Sequence, residues 1–144
     1  MKKYLLMLAA LFVGAVCFTS CGDDDDEINF DDVKPTITIN SKGNPLTMTI
    51  VYAGLYTETH KATFDSNDMC SSYIVTEEYK KSALADLAWA EYQEAMDEDE
   101  DYTYSRKGNT ITIDMSSDFK GKDKQYVLMV FDVYKANIER EYND

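Results

Sequence analysis

The chain has 144 residues and a formal net charge of −13, with 44% hydrophobic and 12% aromatic residues, two prolines and six glycines. That composition suits one ordinary globular domain, and the charge excludes nucleic acid as a partner, because phosphates would be repelled. Anionic lipid headgroups are repelled too, so holding to a membrane requires a covalent or apolar anchor.

Residues 1–20 open with two lysines and continue as the apolar run YLLMLAALFVGAVCF, about fifteen residues where a bilayer span needs about twenty. This is the pattern of a signal peptide. Thr19 and Ser20 lead directly into Cys21. The arrangement resembles the lipobox of bacterial lipoproteins, which implies that Cys21 becomes the first mature residue and carries acyl chains. Cys17 competes, but branched Val16 precedes it where the box has a small residue. Two or more acyl chains give lasting attachment, so the resemblance supplies the anchor that the charge demands. Removal of residues 1–20 leaves 12 basic against 27 acidic groups.

Residues 21–32 then form an acidic tether, whose run GDDDDE at 22–27 repels itself and stays hydrated. A cysteine followed by an acidic run resembles the export signal of Bacteroidetes surface lipoproteins. That implies the outer membrane and exposure at the cell surface, with a periplasm-facing orientation as the alternative. With Cys17 removed and Cys21 lipidated, Cys70 stands alone and a disulfide framework within the chain is impossible. The domain, residues 33–144, must hold together by its core.

Alternation predicts a strand over 33–40, with Ile37 and Ile39 inward and Pro35 at an edge. A turn over 41–45 leads to a second strand at 46–56, placing Leu46, Met48, Ile50 and Tyr52 on one face. The polar stretch 57–68 is a loop or an edge strand. Strand character returns over 69–78. The period then becomes helical: Tyr79, Ala83, Leu84, Leu87, Ala88, Tyr92, Ala95 and Met96 share a stripe over about 77–96, with Thr76 as N-cap. The acidic run 97–101 opposes the helix dipole and predicts a stop near Met96. A turn at 107–109 precedes a strand through Ile111, Ile113 and Met115. The stretch 125–137 is apolar on both faces from Tyr126 to Phe131, which predicts a central strand covered on both sides.

From about Lys34 to Lys135 this order resembles the fibronectin type III-like, immunoglobulin-type sandwiches of Bacteroidetes lipoproteins, several of which carry a helix after the third strand. The matching pieces are PTITI as strand A, LTMTIVY as B, CSSYIVTEEY as C, TITI as E and KGKDKQYVLMVFDVY as the approach to F. Tyr126 stands where that pattern has its tyrosine corner. The resemblance implies a mainly β sandwich with one inserted helix; the alternative is an α+β sheet with one helix packed on a face.

No catalytic constellation emerges. The single histidine, His60, lies in a polar stretch and is expected at the surface. There is no Gly-x-Ser-x-Gly, no metal-ligating His/Cys pair, and no cofactor signature. A calcium loop starting at Asp97 would need glycine sixth and glutamate twelfth, where Tyr102 and Gly108 stand. Trp89 falls about 100° from the middle of the helical stripe, and Tyr102 and Tyr104 follow in sequence. Exposed, these three aromatics would stack on a glycan or anchor a protein partner; the plainer alternative is that Trp89 packs at the rim of the helix–sheet core. The expectation is a non-enzymatic, lipid-anchored envelope protein that presents a binding or scaffolding surface. The alternative is a small acidic inhibitor or immunity-type lipoprotein that binds a basic protein.

Overall fold

The structure, a computed structural model, describes residues 33–98 and 101–143. The expected signal peptide, Cys21 and the expected acidic tether lie outside the described residues. The chain runs β1 (Thr36–Asn40), β2 (Leu46–Tyr52), β3 (Tyr56–Phe64), β4 (Cys70–Tyr79), α1 (Ser82–Glu98), β5 (Thr103–Lys107), β6 (Thr110–Asp114), α2 (Ser116–Phe119) and α3 (Lys124–Asn143). All six strands join one open antiparallel sheet in the order β1-β2-β3-β4-β6-β5. The chain is therefore mainly β. The second sheet of a sandwich is not confirmed, since every described strand lies in this single layer.

Local chemistry explains most of the connections. The β5–β6 hairpin closes on two residues, Gly108 and Asn109, with Gly108 at φ +61°, as a tight hairpin turn requires. The β2–β3 connection spans Ala53 to Leu55, with Gly54 at φ +79°. Asn44 replaces a strand neighbour at the end of β3: its Oδ1 accepts from the Phe64 amide at 2.9 Å, and its Nδ2 donates to the Phe64 carbonyl at 2.8 Å. Asp65 organises the next turn by accepting from the amides of Asn67 and Met69 at 2.8 and 3.1 Å.

Three expectations need correction. The stretch 57–64 is neither a loop nor an edge, because β3 lies inside the sheet between β2 and β4; only residues 65–68 form the expected loop, as a turn. The helix expected from about residue 77 begins at Ser82, because Thr76 to Tyr79 belong to β4, paired with β3 on one side and, through Glu78, with β6 on the other. Thr76 is therefore no N-cap. The stretch 125–137 is not a central strand but part of α3. Asp123 starts that helix by accepting from the Tyr126 amide at 2.8 Å, and its carbonyl takes the Val127 amide at 3.3 Å. Val127, Phe131, Tyr134 and Ile138 then recur at spacings of four, three and four, and all four are buried. Met129 and Val133, which a strand would place on one face with Val127 and Phe131, are 48% and 53% exposed.

The core lies between one face of the sheet and the helices. Leu46, Met48, Ile50, Val75, Ile111 and Ile113 come from the sheet; Leu84, Ala85, Ala88 and Tyr92 come from α1; the four-residue stripe comes from α3. Phe119 of α2 stacks on Tyr73 with ring centres 3.8 Å apart. Cys70 is buried and free, its thiol against the Ser72 carbonyl at 3.3 Å, and burial pushes that thiol up.

Candidate functional site

Two arrangements stand out, one on each face of the sheet. The inner face holds a polar cluster. Along β3 the alternation sends Tyr56, Glu58, His60, Ala62 and Phe64 inward and leaves Thr57, Thr59, Lys61 and Thr63 outward. Along β4 it sends Tyr73, Val75, Glu77 and Tyr79 inward. Register makes Glu58 the direct partner of Glu77. Both carboxylates and His60 are buried.

Every one of these groups has partners. His60 Nε2 meets Glu58 Oε1, and His60 Nδ1 shares a hydrogen bond with the Tyr73 hydroxyl at 2.7 Å. Tyr134 of α3 donates to Glu58 Oε1 at 2.9 Å. Tyr92 of α1 donates to the Glu77 carboxylate at 2.7 Å, and Tyr79 donates to Oε1 at 2.9 Å. Tyr52, Tyr56 and Tyr79 stack in a row across three strands, with centroids 4.6 and 5.0 Å apart. Burial, followed by the charge of Glu58, pushes Glu77 up to about 8. Burial likewise raises the Tyr56, Tyr73, Tyr92 and Tyr134 hydroxyls well above their ordinary value. A fully partnered cluster this deep orients the helices on the sheet and offers no edge to a substrate.

The outer face is different. Both long helices pack on the inner face, and none of the described elements covers the other. Register aligns one hydroxyl residue from every strand in a single row: Thr38, Thr49, Thr59, Thr76, Thr112 and Ser105. Five inter-strand steps make this row about 24 Å long. It carries no charge on a chain of net charge −13.

None of the three aromatic residues singled out from sequence is fully exposed, and Trp89 packs at the core as the plainer alternative had it. Tyr102 is buried, and its hydroxyl bonds Asp118 Oδ2. Tyr104 and Trp89 are half-buried and pack against the core, with Tyr104 centred 5.5 Å from Tyr92 and 6.5 Å from Tyr102. The ring of Tyr102 is spent on the interior. His60, expected at the surface, is 1% exposed. Among the described residues, no group of three His, Cys, Asp or Glu side chains is placed to hold a metal ion. The inner carboxylates and His60 escaped the sequence reading, although the outward alternation of Thr57, Thr59, Lys61 and Thr63 carried their signal.

Comparison with protein-family models, with curated proteins and with solved structures found no match to this chain.

Proposed function

We propose that the chain is a non-enzymatic, lipid-anchored protein of the cell envelope that presents the uncovered face of its sheet to a glycan. Acyl chains on Cys21 tie it to the outer membrane, and the acidic tether holds the domain clear of a surface that repels it. The lipobox-like Thr19-Ser20-Cys21 and the acidic run after it support that placement at the cell surface. The observation that carries the binding reading is the hydroxyl row across all six strands. Hydroxyls donate and accept, and a neutral polyhydroxyl chain pays no charge penalty beside an anionic protein.

A glycan array probed with the full chain tests this, beside the double variant Thr59→Arg/Thr76→Arg. Binding that the variant loses at unchanged melting temperature supports the reading. Absence of any bound glycan, or equal binding by both proteins, overturns it. Mass spectrometry of the protein purified from its own membranes tests the anchor: Cys21 without acyl chains would remove it.

A further inference from the structure

We infer that the Glu58–Glu77 pair is a pH-sensitive latch, through which one proton sets how firmly the helical layer is held on the sheet. The inference concerns the inner face and does not rest on glycan binding. The two carboxylates are direct cross-strand partners on a buried face, a position that puts their Cβ atoms about 5 Å apart. Each is tied to a tyrosine from a different helix: Glu58 to Tyr134 of α3, and Glu77 to Tyr92 of α1. The charge state of the pair therefore reaches both helices directly.

The groups around the pair decide how it responds. On β3, His60 meets Glu58 and not Glu77. On β4, Tyr79 gives its hydroxyl to Glu77. From the strand ends, Tyr52 of β2 and Tyr56 of β3 lie near Glu58, and burial first, then its charge, raises both hydroxyls. From α3, Tyr142 and Glu141 act on Tyr52. Arg106 of β5 lies in the same cross-strand row as Glu77, separated from it by Ile111. Its guanidinium is engaged by Asp86 of α1 at 2.7 Å and by the Gly108 carbonyl at 2.9 Å.

His60 serves one carboxylate here, not two, because its other ring nitrogen is taken by Tyr73. The second carboxylate at this spacing keeps its proton, because a further unpaired charge in the core is costly. Burial and the charge of Glu58 hold Glu77 up at about 8 in agreement with that geometry. Once Glu77 ionises, the Tyr92 and Tyr79 hydroxyls that donate to it favour the charged form but are outweighed by burial and the charge of Glu58, so the carboxylate draws water. Strands flank β4 on both sides and α1 covers Glu77 through Tyr92, so water enters as α1 lifts.

Hydrogen exchange on the full chain in detergent at pH 6 and pH 9, corrected for intrinsic exchange rates, tests the latch. The amides of α1 should lose protection by at least about tenfold at pH 9, and Glu77→Gln, which cannot ionise, should abolish the difference. Unchanged α1 protection, or the same loss in Glu77→Gln, overturns the inference. Should that variant fail to fold, the carboxyl carbon shift of Glu77 in the unmodified protein decides. A midpoint above pH 7 supports the latch, and a midpoint in the ordinary carboxylate range overturns it.

Discussion

Glu58 on β3 and Glu77 on β4 face each other across the sheet, both on its buried side, 5% and 3% exposed. Like charges placed directly opposite destabilise a strand pair, and burial multiplies the effect. The sign of the pH dependence follows. Glu77 is raised from 4.5 to about 8 in the folded chain, so between those values the folded chain holds a proton that the unfolded chain has released. This contribution to stability is complete below about pH 4.5 and is lost as pH rises through about 8. Urea denaturation in steps from pH 5 to 9 should show unfolding free energy falling by on the order of a few kcal/mol relative to Glu77→Gln. A flat or rising difference would remove Glu77 as the cause.

His60 is the other half of that balance. It meets Glu58 at one ring nitrogen and Tyr73 at the other, with Phe131 and Tyr134 edging its ring. Replacing it with leucine roughly keeps the volume and strips Glu58 of its imidazole partner. The expected loss is about 1–3 kcal/mol, the cost of leaving a buried polar group without its partner. A second replacement, Glu58→Gln, should recover part of that loss in the double variant. Equal destabilisation by His60→Leu with and without Glu58→Gln would mean that the two side chains are not coupled.

Strands β1, β2 and β6 and the body of α1 were legible because their apolar residues follow one period without interruption. At β3 the same period is present but carried by Glu58 and His60, residue types that ordinarily mark an exposed face. Their burial depends on tyrosines far away in sequence, Tyr134 above all, and no local pattern displays that. The aromatic residues near α1 misled in the opposite direction: Tyr102 follows an acidic run yet is buried, because α2 brings Asp118 to its hydroxyl. The hydroxyl row became visible only with the register, since its six members are scattered from Thr38 to Thr112.

Asp123 sets where α3 begins, accepting from the Tyr126 amide at 2.8 Å. Asp123→Ala should cost about 1 kcal/mol, whereas Asp123→Asn, which still caps, should cost little. Paired thermal melts of the two variants check this. A loss as large for asparagine as for alanine would point to the charge, and not the cap, as what matters at this position.

Cys70 is buried at the start of β4, its thiol directed to the Ser72 carbonyl and raised by burial. A thiolate is needed for attack on a disulfide reagent, so this sulfur should react slowly in the folded chain and promptly in urea. The rate of labelling at position 70 in the two conditions, read by mass spectrometry, makes the comparison. Fast labelling under native conditions would place the thiol at the surface.

Residues 131 and 133 separate the helix from the strand that the apolar run suggested. In a strand they would share a face, two apart, and a charge at either would be equally harmful. In α3 they are 200° apart: Phe131 is buried against His60 and Tyr73, whereas Val133 is 53% exposed. Phe131→Ala should therefore cost about 3–5 kcal/mol through the cavity it leaves, and Phe131→Asp should prevent folding. Val133→Asp should change stability by no more than about 0.5 kcal/mol, because its side chain already meets water. Chemical denaturation of the three variants orders them directly. If Val133→Asp proved as damaging as Phe131→Asp, both faces of this segment would be covered, and the helix would not be the outer layer of the fold.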